Sequence, residues 1–84
     1  MFEVEWLPSV ERDLADLWIV APDRAHVAAA ADAIDAALRR DPFSIGEGRG
    51  GTTRIAFERP LAVLYDVHVP LQRVKVWDLW RWPS

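Results

Sequence analysis

The sequence contains no cysteine, which excludes disulfide scaffolds, thiol catalysis and zinc sites built on thiolates. This absence fits a reducing compartment, and we expect the chain to be cytoplasmic. Its two histidines, His26 and His68, are far apart in the sequence, so we predict no metal site and no cofactor. No apolar run approaches the roughly 20 residues that span a bilayer, and residues 1–6 lack the basic region of a secretory signal. We therefore expect no membrane partner.

The 84 residues are enough for one domain, which we assign to positions 1–84. Hydrophobic residues make up 51% of the chain and charged residues 27%, as in ordinary folded proteins. The net charge of −3 argues against a general nucleic-acid binder, because nonspecific polyanion binding needs a dense cationic patch. The acidic residues are concentrated in the first half, so a local basic surface in the second half is still compatible with the sequence.

The first half of the chain predicts one strand and two helices. Apolar and acidic side chains alternate over Phe2–Trp6, which is typical of a strand with one buried face. Pro8 suits the first turn of a helix that runs to about Ile19. Asp23 is placed to cap a second, alanine-rich helix that ends at Arg40, and the two helices should form an antiparallel hairpin.

The second half predicts a flexible connector followed by three strands. All four glycines of the chain lie within residues 46–51, and a strand rather than a helix follows them, which argues against a phosphate-binding loop. The strand-like runs are Thr53–Phe57, Leu61–Val69 and Arg73 to about Trp80. Short breaks between them indicate an antiparallel meander. We therefore predict an α+β fold in which the helical hairpin packs on one face of the sheet.

Alternation of side chains along these strands predicts which residues share a face. Those predicted to face the helices are Ile55, Phe57, Val63, Tyr65, Val67, Trp77 and Leu79. Those predicted to face away are Arg54, Ala56, Glu58, Ala62, Leu64, Asp66, His68, Val76, Asp78, Trp80 and Trp82. The outward face should accordingly be poor in cations and rich in indole rings near the carboxyl end.

Several segments resemble, in order and spacing, the RelE/ParE superfamily of toxins from bacterial type II toxin-antitoxin systems. They cover nearly the whole chain and comprise Val4–Pro8, Arg12–Leu14, Ala37–Pro42, Gly48-Arg49, Thr53–Ile55, Leu61–Val67 and Val74–Trp77. The resemblance implies the same α+β fold, with an N-terminal strand, a helical hairpin and a three-stranded antiparallel meander.

The resemblance also implies functions and partners. RelE-like members cut mRNA in the ribosome with the help of cationic side chains, whereas ParE-like members inhibit DNA gyrase. Both kinds are linked to growth inhibition and plasmid stabilisation, and both are neutralised by a cognate antitoxin that wraps the toxin with a helix and an extended segment. The implied partners are thus an antitoxin and either the ribosome with its mRNA or gyrase. A homodimer or a toxin-antitoxin hetero-oligomer is compatible with this pattern.

The cationic positions of the RNA-cutting members are only partly filled. Arg54 matches one of them, but Ala56 and Ala62 stand where two further cations are expected. Because one preorganised donor is commonly worth about 2.7–4 kcal/mol in a transition state, this loss favours inhibition by binding over cleavage. An mRNA endoribonuclease and a non-toxic protein-interaction module are the two alternatives. The candidate catalytic residues are Arg54, Arg81 and His68, and the candidate contacts to nucleic acid or target are Arg49, Arg54 and Arg81.

Five tryptophans are too many for the core of so small a chain. Periodicity assigns Trp6, Trp18 and Trp77 to packing. Trp80 and Trp82 share the outward side near the C-terminus, and we predict that they bind a protein partner together with Leu64.

Overall fold

The computed structural model describes residues 1–83, and within them one sheet of five strands carries two helices. The elements are β1 (Glu3–Trp6), α1 (Pro8–Val20), α2 (Arg24–Arg40), β2 (Glu47–Gly50), β3 (Thr53–Glu58), β4 (Leu61–His68), a 3-10 turn (Val69–Leu71) and β5 (Arg73–Arg81). The strand order across the sheet is β1-β5-β4-β3-β2. The α+β class and the antiparallel β3–β4–β5 meander are confirmed.

Both helices contribute to one hydrophobic cluster on a single face of the sheet. Val10 of α1 and Ile34 of α2 are each 1% exposed, and they belong to the same buried cluster as Val63, Tyr65 and Val67 of β4. Pro8 begins α1, as its fixed φ favours. The prediction that the helical pair covers one face is confirmed.

The glycine-rich connector contains a strand that the sequence did not predict. Residues Glu47–Gly50 form β2, which pairs with β3 so that Gly48 lies opposite Arg54. Gly46 precedes it with φ +70, and a Cβ at that position would collide with the backbone carbonyl of Ile55. A glycine is therefore required for this close approach of the two backbones.

β1 lies parallel to β5 at one edge of the sheet. Val4 is opposite Val74 and Trp6 is opposite Val76. The alternation predicted for this strand is confirmed, since Phe2, Val4 and Trp6 all pack against the core cluster. The indole of Trp6 also donates a 2.8 Å hydrogen bond to Asp35 of α2.

Candidate functional site

The face of the sheet turned away from the helices, here called the open face, is the candidate site. Residues directly opposite each other on neighbouring strands point to the same face of the sheet. The pairing register therefore shows which side chains lie side by side on the open face, in rows that run across the strands. The rows are Ile55, Leu64 and Asp78; Phe57, Ala62 and Trp80; Thr53, Asp66, Lys75 and Glu5; and His68, Arg73 and Glu3. Ala62, Leu64, Asp66, His68, Asp78 and Trp80 thus face away from the helices, as predicted.

A bulge in β5 changes the expected alternation of this strand. Tyr65 lies opposite Val76 and Leu64 lies opposite Asp78, which leaves Trp77 as an extra residue. Val76 is consequently fully buried in the core cluster, while Trp77 is 39% exposed. The predicted inward Trp77 and outward Val76 are therefore wrong. Leu79 does face the core, as predicted.

The predicted orientation of β3 is also wrong. Ala56 lies opposite Val63 and belongs to the helix-side cluster, whereas Ile55 and Phe57 lie opposite Leu64 and Ala62 on the open face. The physical reason is that β3 has apolar residues on both faces, so its alternation does not distinguish them.

An aromatic cluster, formed by Phe57, Trp80 and Trp82, occupies the end of the open face near the C-terminus of β5. The rings of Phe57 and Trp82 have centroids 4.6 Å apart, and the guanidinium of Arg59 lies 5.2 Å from the Trp82 ring. Ala62, opposite both Phe57 and Trp80, is 0% exposed although no helix covers this face. The aromatic cluster therefore covers the position where the family resemblance led us to expect a cation.

Arg54 lies on the helix side of the sheet and not on the open face as predicted. It is opposite Tyr65, and its guanidinium donates hydrogen bonds to the Tyr65 hydroxyl (3.3 Å) and to the carbonyl oxygens of Ile45 (3.1 Å) and Gly46 (3.2 Å). The ring of Phe43 stacks near the same guanidinium. These contacts attach the segment after α2 to the sheet, so Arg54 is engaged in holding the fold together.

Arg81 is likewise turned toward the helices. It lies opposite the buried Leu61, and its guanidinium donates a 2.8 Å hydrogen bond to the carboxylate of Asp23. That hydrogen bond holds the pKa of the Asp23 carboxyl below its usual value. Asp23 stands at the N-cap of α2, but its side chain makes no capping hydrogen bond. The predicted cap is therefore wrong, because the carboxylate is directed to Arg81 instead.

The remaining predicted cations and the histidine are dispersed. Arg49 is on the edge strand β2, where it forms a 2.8 Å ion pair with Glu47. His68 is exposed at the far end of β4, opposite Arg73, whereas Arg81 is opposite Leu61. The seven-residue separation along β4 corresponds to about 23 Å at about 3.3 Å per residue. The candidates Arg49, Arg54, Arg81 and His68 are thus not brought together around one phosphate.

The polar end of the open face surrounds a shallow cavity of about 480 Å³. Its acidic and basic lining consists of Glu3, Glu5, Asp66, Arg73 and Lys75, with His68 beside them. The Thr53 hydroxyl donates a 2.7 Å hydrogen bond to Asp66, and Arg73 lies 3.7 Å from Glu3. Sequence reasoning missed this cluster because it depends on the parallel pairing of β1 with β5, which no local pattern indicates. Residues 1–83 contain no group of three or more histidine, aspartate or glutamate side chains arranged to bind a metal ion.

Sequence reasoning also missed the full extent of the exposed aromatic surface. Phe57 was predicted to face the helices, but it is 41% exposed on the open face, and the only available signal was the presence of apolar residues at consecutive positions of β3. Trp18, assigned to packing, is 42% exposed on α1, with the guanidinium of Arg24 4.9 Å from its ring. Trp6, in contrast, packs on the core as predicted.

The fold of the chain is similar to that of a solved structure. No protein-family model matches the chain, and no curated protein matches it. Among solved structures, it is similar to a chain in the crystal structure of the toxin-antitoxin complex RelBE2 from Mycobacterium tuberculosis, with a TM-score of 0.78 and 20% identity. The match covers 99% of this chain and 93% of that chain. The chain therefore has the RelE-like fold that the sequence resemblance implies. No helix within residues 1–83 is long and apolar enough to cross a bilayer.

Proposed function

We propose that the chain is the toxin-like member of a toxin-antitoxin pair and that it inhibits growth by binding its target through the open face. The RelE-like fold supports this proposal, as does its similarity to a chain of a complex that contains both a toxin and an antitoxin. The cognate antitoxin is the first partner that we assign to it. Gyrase-type and ribosome-type targets are both compatible with a binding mechanism.

The observation that carries the proposal is the aromatic cover over Ala62. Catalysis of RNA cleavage needs positive charge where the phosphate gains negative charge, together with a base for the 2′-hydroxyl. Here Phe57 and Trp80 flank Ala62, which is 0% exposed, while the guanidinium groups of Arg54 and Arg81 are engaged on the other side of the sheet. A partly exposed aromatic surface of this kind favours a protein partner, because aromatic anchors dominate the energetics of protein interfaces.

The test is inducible expression of three forms of the full chain in a bacterial host, with growth and transcript 5′ ends measured together. The forms are wild type, Leu64→Glu in the centre of the open face, and Ala28→Glu on the exposed surface of α2. We expect wild type and Ala28→Glu to inhibit growth without creating new transcript ends at ribosome-bound codons. Leu64→Glu should not inhibit growth, because a carboxylate there would be buried without a partner when the target binds, and this cost should prevent binding.

Two outcomes contradict the proposal and favour its alternatives. Codon-aligned cleavage that depends on the wild-type chain would identify an mRNA endoribonuclease. Unimpaired growth with wild type, produced in amounts equal to those of a known growth inhibitor, would identify a non-toxic interaction module.

A further inference from the structure

The free edge of β1 and the two helices form a second groove, distinct from the open face. This β1 groove has a volume of about 640 Å³. Its apolar lining comprises Val4, Trp6, Leu14, Ala15 and Ala31, and its acidic lining comprises Glu5, Glu11, Asp32 and Asp35. We propose that the β1 groove binds an extended, basic segment of a partner protein as an added strand.

The backbone of β1 presents unpaired groups to this groove. Glu3 and Leu7 donate their amide hydrogens to the carbonyl oxygens of Gln72 and Val76, on the β5 side. Because these groups alternate in direction along a strand, the amide and carbonyl groups of Val4 and Trp6 point to the free edge. Such an edge is a template for another strand.

One position of this edge already has a partner from within the chain. The amide of Phe2 donates a 2.8 Å hydrogen bond to the carbonyl oxygen of Arg39, at the end of α2. The next donors on the same edge, at Val4 and Trp6, are in the same orientation. The carbonyl oxygens of an extended segment in the groove could accept hydrogen bonds from the amides of Val4 and Trp6, as the carbonyl oxygen of Arg39 does from the amide of Phe2.

Charge identifies the occupant as basic. Glu5, Glu11 and Asp32 line the groove without an ion-pair partner among residues 1–83, and no lysine or arginine is part of its lining. Asp35, in contrast, is engaged by Arg39 and by the Trp6 indole. Alternation across the edge would place cations beside Glu5 and apolar side chains toward Leu14 and Ala31.

The same charges exclude a second copy of this chain. Two β1 strands paired edge to edge would bring Glu3 and Glu5 of one copy against those of the other, and like charges directly opposite each other are destabilising. The other sheet edge, β2, is a poorer template because its pairing is interrupted between Gly48 and Gly50. A basic extended segment at β1 is the occupant that both observations favour.

The test uses the isotope-labelled full chain and a capped peptide of alternating lysine and valine, observed by amide NMR at low salt. We expect peptide-dependent shifts and slowed hydrogen exchange at Val4 and Trp6. A peptide N-methylated on the amides of alternate residues, in the register that faces β1, should bind far more weakly, because it cannot donate to the edge. Alternating glutamate and valine should not bind.

Variants that each remove one acidic group test which carboxylates contribute to binding of the lysine peptide. Glu5→Gln, which removes the acid beside the lysines, should weaken binding of the lysine peptide by a factor of about two to five, as for exposed ion pairs. Glu11→Gln and Asp32→Asn, which lie on the side of the groove that faces the valines, should weaken it less. Asp13→Asn, an exposed acid of α1 outside the lining, and Leu64→Glu on the open face should not change it. No binding at millimolar peptide, equal binding of the N-methylated peptide, or shifts centred on β2 or the aromatic cluster would each overturn the proposal. None of these outcomes bears on growth inhibition through the open face.

Discussion

The guanidinium of Arg54 donates a hydrogen bond to the hydroxyl of Tyr65, and the two side chains are directly opposite each other on β3 and β4. The Tyr65 hydroxyl in turn lies 2.9 Å from the carbonyl oxygen of Pro42 and 3.1 Å from that of Ile45. Arg54 also donates to the Ile45 carbonyl. These contacts hold the segment between α2 and β2 against the sheet. The role of Arg54 is therefore to stabilise the fold.

Removal of either member of this pair should destabilise the fold. We expect Arg54→Leu and Tyr65→Phe each to lower the free energy of unfolding by about 1–3 kcal/mol, because carbonyl acceptors lose their donors. The double variant should lose less than the sum, since the two residues share partners. Urea denaturation measures all three, and Arg49→Leu on the exposed edge strand should change stability by about 0.5 kcal/mol or less. Strict additivity would contradict the shared network.

The ionisation of Tyr65 provides a spectroscopic test. Burial raises the pKa of the Tyr65 phenol, and the nearby Arg54 cation opposes part of that rise. Folding therefore favours the neutral phenol, and its contribution to stability is present below about pH 10 and is lost as pH rises through the higher native pKa. Tyr65 is the only tyrosine, so its absorbance change in alkali reports one group.

In the native protein this absorbance change should occur at higher pH than in guanidinium-unfolded chain, and Arg54→Leu should move it higher still. Coincident native and unfolded titrations would show that the phenol is not buried.

The Asp23–Arg81 pair should make stability depend on acid pH. The pKa of Asp23 is lowered mainly by its hydrogen bond from Arg81, so the contribution is present above about pH 4. It is lost as pH falls through the lower native pKa. Melting temperatures measured across the acid range should therefore fall less steeply for Asp23→Asn than for wild type. Asp13→Asn, exposed on α1, should retain the wild-type slope, and an unchanged slope in Asp23→Asn would exclude this linkage.

Two glycines with positive φ should respond differently to alanine. Gly46→Ala brings a Cβ against the Ile55 carbonyl and adds the cost of a left-handed conformation, whereas Gly51→Ala, at φ +57, meets nothing within 4 Å. We expect Gly51→Ala to cost about 1–2 kcal/mol and Gly46→Ala clearly more. Equal losses in urea denaturation would mean that the close approach of Gly46 to β3 does not constrain the fold.

Local patterns predicted the elements whose two faces differ in polarity. β1 alternates apolar and acidic residues, and the core-facing Val63, Tyr65 and Val67 of β4 follow a period of two. The two helices follow from Pro8, the apolar stripes and the alanine content. The meander followed from the short breaks between strands.

The sequence predictions failed where the alternation of apolar and polar residues did not distinguish the two faces of a strand, or where tertiary contacts determined its orientation or pairing. Ile55, Ala56 and Phe57 are all apolar, so packing against α2 selected the orientation of β3. The bulge at Trp77 depends on register with β4, and the sequence of β2, Glu-Gly-Arg-Gly, has no apolar alternation. The position of Arg54 on the helix side follows from the orientation of β3, whereas Arg81 faces the helices because it alternates with Trp80 on β5.

Growth inhibition by aromatic-cluster variants tests the central claim, that the open face is the surface through which the chain acts. The double variant Trp80→Ala/Trp82→Ala should lose growth inhibition while keeping a cooperative urea transition. Trp18→Ala, which removes a more exposed indole from α1, should inhibit growth like wild type. Full inhibition by a folded double variant, or its loss in Trp18→Ala, would contradict the account.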